Sequence, residues 1–358
     1  MAGFFDQNFQ NIIDYVLIVS LLIITAYFMY HIIVGERKGK PLASPPFQDT
    51  PNAAQRSQLS GLENNRLSSG VVNASFDASK DNALRHYCIK SSSNCAYTNG
   101  YMNMNMVKYV LSRGCRFLDM EIYMKDGVPI VAYSTNKQSL ETFTSHGPAL
   151  SLQGVFSTIM SNAFSETSPN PQDPLFLHLR IKTYDGTAYT KIAKLIKSQL
   201  GNKHYVDGQG NAVPVTLDTQ VPSLLGKVVV IVDQHASPGY DNYATCAPEN
   251  TDCYSLAKMT NMTSNSHQIR TYHEKNLTFQ PINPPDPAVY LFRIVFPDVG
   301  YFENTYNADS LYLMKNYGVQ AVAQAFFVND ANLRSYEEIF RERKSAFARL
   351  ESVLHEYE

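Results

Sequence analysis

The 358-residue chain has no tryptophan; its aromatic bulk comes from 23 tyrosines and 19 phenylalanines. Neither sign of charge predominates: 30 basic and 32 acidic side chains leave a formal net charge of −2. That excludes a global basic field of the kind nucleic acid requires. Cysteine is scarce. Cys88, Cys95, Cys115, Cys246 and Cys253 form an odd, widely spaced set without a Cys-x-x-Cys pair. Such a set is a poor disulfide framework and has no metal-ligand spacing. A reducing, cytosol-like setting is the simpler reading, with pairing of Cys246 and Cys253 left open. Gly-x-Gly-x-x-Gly and the P-loop are both absent, so a nucleotide-binding fold has no direct support. No internal repeat is evident.

The chain does have one long apolar run. YVLIVSLLIITAYFMYHIIV, residues 15–34, carries no formal charge if His31 is neutral. Twenty helical residues span about 30 Å, the hydrocarbon thickness of a bilayer. Tyr15, Tyr27 and Tyr30 lie toward the ends, where interfacial aromatics belong. The run predicts a transmembrane helix behind a short N-terminal segment, 1–14. It is too long for a cleaved signal, and acidic rather than basic residues precede it. Glu36-Arg37-Lys38-Gly39-Lys40 follows it. The positive-inside rule then predicts a single-pass protein with its N-terminus out and the rest facing the cytosol. Asn73, Asn261 and Asn276 begin glycosylation-type triplets that would need the opposite topology.

Residues 35–82 are rich in Pro, Ser, Asn, Gln and Asp and read as a flexible linker, with a weak helix near Gln55–Leu67. From about Leu84, short apolar runs alternate with helical stretches. Strands are predicted in YCIK (87–90) and over 117–124, 128–133, 175–182, 227–233, 290–296 and 319–327. Helices are predicted over 102–113, 151–163, 189–200 and 308–317. Gly114, Gly201 and Gly318 supply helix stops. This alternation over about 260 residues predicts an α/β fold, a barrel rather than an open sheet. Ser335-Tyr-Glu-Glu338 reads as a capping box. It would open a C-terminal amphipathic helix over 336–358, either packed on the barrel or offered to a protein partner.

SRGCRFLDMEIYMKDGVPIV, residues 112–131, resembles the X half of eukaryotic phosphatidylinositol-specific phospholipase C. There, too, a helix ends in Arg-Gly-Cys-Arg before an acidic strand, Asp-Gly and Pro-Ile-Val. SSSNCAYTNG resembles that family's Ser-Ser-His-Asn-Thr-Tyr-Leu-Thr-Gly loop. GVFSTIMSNAF, PLFLHLRIK and PSLLGKVVVIVD are similar to the elements that follow. LFRIVFPDVGYFENTYNADSLYLMKNYGVQAVAQAFF resembles the Y half. The likeness runs over roughly 84–335 and implies a distorted TIM barrel at 83–335, X-like over 83–235 and Y-like over 250–335.

The family's two-step phosphodiester cleavage rests on two histidines and a bound Ca²⁺, and the resemblance allows each position to be checked. The first histidine falls on Asn94 without a gap, or on Ser93 with a one-residue slip. The second falls on Tyr133, whose phenol, with an ordinary pKa near ~10, is a poor replacement. Among the metal ligands, the asparagine falls on Cys95. The Glu-x-Asp pair falls on Asp119 and Glu121, and the last carboxylate on Arg180. The phosphate-binding lysines fall on Ile231 and Asp233, while Arg293 keeps the Y-half arginine as a phosphate contact. His86, His178 and His204 are other nearby imidazoles. Arg180 is expected to stand beside Asp119 and Glu121 as their counter-charge in place of the metal.

The apolar run, the resemblance and the departures from the family's pattern together lead to the expectation of a membrane-anchored, phospholipase-C-like pseudoenzyme with no cofactor, acting as a scaffold or a lipid-head-group reader. Its expected partners are the lipid bilayer and phosphoinositide head groups, not nucleic acid. One alternative is an active phosphoric diester hydrolase with altered residues, the only reading that calls for Ca²⁺. Another is a structural membrane component of a large DNA virus particle. Host and virion membranes are not distinguished.

Overall fold

The computed structural model describes residues 18–21, 24–25, 53–64, 68–98, 101–134, 149–241, 254–277, 291–297 and 305–355. The chain divides into two units, 1–46 and 47–358. In the first, residues 18–21 and 24–25 are helical, and Thr25 Oγ1 donates to the carbonyl of Leu21 at 2.7 Å. The rest of 15–34 lies outside the described residues. Among the described residues no helix is long and apolar enough to cross a membrane. This overturns the expected transmembrane helix and with it the integral, single-pass placement. A span needs about 20 continuous helical residues, and no described helix there reaches that length.

In the second unit, α1 (Ala53–Asn64) lies within the expected linker. The linker also ends earlier than expected: Val71 and Asn82 are buried, and Val72 bridges to Ser345. There follow β1 (Tyr87–Ile89), β2 (Ser91–Ser92), β3 (Tyr97–Thr98), β4 (Tyr101–Met102) and α2 (Met104–Ser112). Next come β5 (Phe117–Lys125), β6 (Val128–Ala132), β7 (Leu150–Ser151), α3 (Leu152–Ala163), β8 (Leu175–Ile181) and α4 (Thr187–Leu200). The middle of the chain supplies β9 (Val228–Asp233), β10 (Met262–Ser264), β11 (Ile269–His273) and β12 (Phe292–Phe296). The last elements are α5 (Ser310–Tyr317), β13 (Ala321–Gln324), α6 (Ala331–Glu342), β14 (Phe347–Arg349) and α7 (Leu350–His355).

Local chemistry accounts for these boundaries. The turn from β5 to β6 is Asp126-Gly127, both at positive φ (51° and 75°), the signature of a two-residue hairpin. α3 buries Leu152, Val155, Phe156, Ile159 and Ala163, the one-sided spacing of a helix laid against a sheet. α5 stops at Gly318 in the left-handed conformation, its N–H bonded to the Met314 carbonyl at 3.0 Å. The VVVIVD of β9 is buried throughout, as a parallel strand covered on both faces must be.

The parallel strands run β10-β9-β8-β5-β2-β13-β12-β11, with β6 antiparallel to β5 and β7 antiparallel to β6. They form a nearly closed barrel, a distorted TIM barrel. Between β10 and β11 there is no ladder. One side chain crosses that seam. Asn265, at φ 61°, donates Nδ2 to Asp233 Oδ2 at 3.0 Å. Its Oδ1 accepts from the Thr271 N–H at 3.1 Å and the Thr271 hydroxyl at 2.9 Å. Asparagine is one of the few side chains that tolerate this backbone conformation.

At the end of the barrel where the strands begin lies a buried ion cluster. Lys90 Nζ donates to the Arg113 carbonyl at 2.7 Å and reaches Glu337 Oε1 at 3.4 Å. Arg113 Nε meets the same oxygen at 2.7 Å. The cluster ties α6 to the barrel floor. The fully buried Arg116 gathers the 163–170 loop, donating Nη2 to the Ala163 carbonyl at 3.0 Å and to Asn170 Oδ1 at 2.9 Å.

The single C-terminal helix expected over 336–358 is not formed. α6 begins earlier, capped by Asp330, whose side chain accepts from the Leu333 N–H. It ends at Glu342, before β14, which pairs antiparallel with β1. Of the two expectations for this segment, the packing is what the described residues display: Tyr336, Phe340, Phe347 and Leu350 are all buried. The first predicted strand, β1, thus exists but pairs with β14 outside the barrel.

Candidate functional site

Side chains alternate along β5 and β8, so Asp119, Glu121, His178, Arg180 and Lys182 share the barrel interior. The register sets Asp119 beside His178 and Glu121 beside Arg180. At the strand C-termini this interior opens into a cavity of about 340 Å³. Its wall includes Ser93, Asn94, Glu121, Tyr133, Arg180, Lys182, Asp233, His235, Asn265, Tyr272, His273, Phe296 and Phe327.

Arg180 lies against both carboxylates, as expected. Its Nε donates to Asp119 Oδ1 at 2.8 Å, Nη2 to Asp119 Oδ2 at 2.6 Å, and Nη1 to Glu121 Oε1 at 2.7 Å. Nη2 also reaches Asn94 Oδ1 at 3.0 Å, and the guanidinium stacks 4.9 Å from the Phe296 ring centre. Asp119 takes two further bonds, from His178 Nδ1 at 2.8 Å and the Asn94 N–H at 3.1 Å. Glu121 takes three: Lys182 Nζ at 3.2 Å, the Tyr123 hydroxyl at 2.6 Å and the Ser134 N–H at 3.1 Å. Each of the four carboxylate oxygens therefore has two partners.

Burial by itself would raise the Asp119 carboxyl. The Arg180 charge, with hydrogen bonds from His178 and Arg180, outweighs it and holds the group well below the usual carboxylate range. Burial likewise opposes the charge on Arg180, but Asp119 and Glu121 push that group up. Lys182 is lowered, because burial outweighs the attraction of Glu121.

Behind Arg180 runs a hidden polar chain. His178 Nε2 lies 2.8 Å from Ser264 Oγ, and Ser264 Oγ donates to Asp233 Oδ2 at 3.2 Å. The order Asp119–His178–Ser264 has the connectivity of a nucleophilic triad, but its position rules out the role. His178 and Ser264 are fully buried, neither lines the cavity, and a carboxylate sits on the serine hydroxyl. The chain satisfies buried polar groups in the barrel core.

The structure sorts the sequence candidates. Asn94 reaches the cavity at φ 43°, and its carbonyl accepts from Tyr97 N–H at 2.8 Å; the neighbouring Ser93 lines the cavity too. Tyr133 is on the wall and packs 4.2 Å from the Tyr97 ring. Cys95 does not line the cavity: it is buried, which pushes its thiol up, and it gives the cluster only a backbone N–H to the Asp119 carbonyl at 2.9 Å. Ile231 is core. Arg293 requires correction as a phosphate contact. It alternates with Phe292, Ile294 and Phe296 and does not line the cavity, and its backbone N–H bonds to Gln320 Oε1 at 2.8 Å. His86 pairs with Asp81 at 3.1 Å and His204 with Asn261 at 3.1 Å, both away from the cavity. Asn261 is buried and donates to two carbonyls, so it is no glycan acceptor. Cys246 and Cys253 lie outside the described residues.

Sequence reasoning missed Lys182, His235, Asn265, Tyr272 and His273. Lys182 was within reach, two residues beyond Arg180 on the same strand face. His273 and Tyr272 sit on β11, a short polar strand with no hydrophobic alternation to reveal it.

Residues 80–234 match the family model described as phosphatidylinositol-specific phospholipase C, X domain, and the resemblance seen in the sequence is borne out over that stretch. Among solved structures, the PLC21 of L. pealei superposes with a TM-score of 0.55 at 17% identity, over 82% of this chain and 41% of that one. The PLC21 of S. officinalis gives 0.55 and 17%, over 84% and 41%. At that identity the likeness shows the fold. The chain spans about two fifths of the length of these relatives. No curated protein sequence matches it.

Proposed function

We propose that this chain is a phospholipase-C-like barrel that has exchanged metal-dependent phosphodiester cleavage for a fixed internal ion pair, and that it works as a scaffold or a head-group-binding module. The observation that carries this reading is the Arg180 guanidinium bonded at once to Asp119, Glu121 and Asn94. Ca²⁺ takes six to eight oxygen ligands at about 2.3–2.6 Å. Here a permanent cation stands among the carboxylates, and every carboxylate oxygen is already engaged. The residues present do not fit Ca²⁺. The two positions matched to the family's histidines add an amide and a phenol, neither of which exchanges protons readily near neutral pH.

Purified full-length chain assayed on phosphatidylinositol and phosphoinositides, with and without Ca²⁺, is expected to show no turnover. Titration calorimetry is expected to detect no Ca²⁺ binding. Turnover that disappears in Tyr133→Phe or Asp119→Asn would sink this proposal. One observation favours a second reading, an active hydrolase: His235 and His273 both line the same cavity and could divide acid and base roles without a metal. Turnover abolished by His235→Gln or His273→Gln but indifferent to Ca²⁺ would establish it.

A further inference from the structure

The outer wall of the barrel carries a charge asymmetry that owes nothing to the cavity. Residues 186–206 contain Lys191, Lys194, Lys197 and Lys203 and no aspartate or glutamate, in a chain of net charge −2. Most of this stretch is α4, fourteen residues and about 21 Å of straight helix. Its apolar side, Ala188, Tyr189, Ile192, Ala193, Ile196 and Leu200, is buried. Lys194 and Lys197 are exposed. Among the described residues none of the four lysines forms an ion pair. Instead Lys191 donates to the Gly127 carbonyl at 2.7 Å, Lys197 lies 5.0 Å over the Tyr254 ring, and Lys203 lies 4.8 Å over the Phe164 ring. Asp185 and Asp207 flank the stretch on either side, and Asp185 feels the charge of Lys191, but between them the face carries cations alone.

A second observation lies at one end of the strip. The Lys191 bond brings the Asp126-Gly127 turn against α4, and the next residue, Val128, is 45% exposed. Tyr184, three residues before α4, is 72% exposed. Two apolar side chains thus project beside the first turns of a line of lysines. We propose that this face docks peripherally on an anionic lipid surface, the lysines meeting head-group charge and Val128 and Tyr184 entering the interface. A nucleic acid or an acidic protein would use the lysines but leave the apolar pair without a role; a charged leaflet uses both. The proposal is independent of whether the cavity turns over a substrate.

The test is co-sedimentation of the full-length chain with phosphatidylcholine vesicles, with and without phosphatidylserine, at low and high salt. Binding is expected only to the phosphatidylserine vesicles, and salt should release most of it. Lys194→Gln with Lys197→Gln should weaken the partition about fivefold per lysine neutralised. Lys80→Gln, an exposed lysine outside the strip, should change nothing. Val128→Ser with Tyr184→Ser should remove a part of the binding that salt does not. Thermal melts check that each variant is folded. Equal binding to both vesicle types, or no effect of the paired lysine substitution, overturns the proposal. Lysine-dependent capture by heparin without vesicle binding also overturns it, and assigns the strip to a soluble polyanion.

Discussion

Two buried ion clusters sit at opposite ends of the barrel and are built differently. At the mouth, Asp119 and Glu121 are matched by Arg180 and Lys182, and every carboxylate oxygen is doubly engaged. At the floor, one carboxylate, Glu337, faces two cations, Lys90 and Arg113, and Lys90 leans on a backbone carbonyl. The floor cluster joins α6 to the barrel, and none of its three side chains is in the wall of the mouth cavity. The mouth cluster faces that cavity. Burial of charge therefore does not by itself mark a functional site in this fold; the adjoining cavity does.

Removing the central cation of the mouth should give the largest effect. Arg180→Met leaves two buried carboxylates short of positive charge and should cost about 3–5 kcal/mol of stability, read from urea unfolding. Added Ca²⁺ should recover part of that loss in the variant and do nothing for the parent. At the floor, Glu337→Met should cost less, about 2 kcal/mol. Glu337 is 20% exposed, and Lys90 keeps its carbonyl partner. Ca²⁺ should not rescue it. Equal rescue at both ends would break the comparison.

pH should separate the clusters further. The folded Asp119 carboxyl lies below its unfolded value of about 3.9. Its contribution is complete above that value and is lost as pH falls toward the folded one. The urea midpoint should thus drop below about pH 4, with a shallower slope in Asp119→Asn. Lys90 is lowered by burial, its attraction to Glu337 only partly opposing the shift. Between its folded value and the unfolded value near ~10.4 the unfolded chain holds the extra proton, so this group makes stability rise with pH. Acid loosens the mouth, while alkali does not loosen the floor through Lys90. The smallest effect is expected from Asn94→His. It returns an imidazole to the loop but leaves Arg180 on the carboxylates, so phosphoinositide turnover should stay undetectable with or without Ca²⁺.

Much of the barrel was legible in the sequence because β9 is a nearly continuous apolar run, β5 and β8 are long apolar strands broken only by alternating polar residues, and the helices are one-sided. β5, β8, β9 and α2 to α5 fall where periodicity and glycine stops put them. The placement of Arg180 followed from alternation: residues 119 and 121 on one strand and 180 on the next share one face. Elements made by tertiary partners were not legible. β14 is three residues long and exists because β1 lies beside it, so the sequence read straight through it as helix. β10 and β11 are short and polar, and with them went Asn265 and His273. Arg293 failed by parity, since a one-residue shift in register puts a side chain on the other face of a strand. The apolar run at 15–34 had length and composition in its favour, yet no described helix there is long enough to span a bilayer.

The seam between β10 and β11 changes how this barrel can be assembled. The loop-closure cost of a ring falls on the pair most distant in sequence, and that pair, β2 with β13, is laddered here. The seam falls instead between neighbours that only residues 265–268 separate, so it spares register rather than closure: β10 and β11 need only lie closely enough for Asn265 to reach Asp233 and Thr271. Asn265→Ala would leave every ladder in place and release that one clasp, widening a side entrance in a wall that backbone pairing does not close.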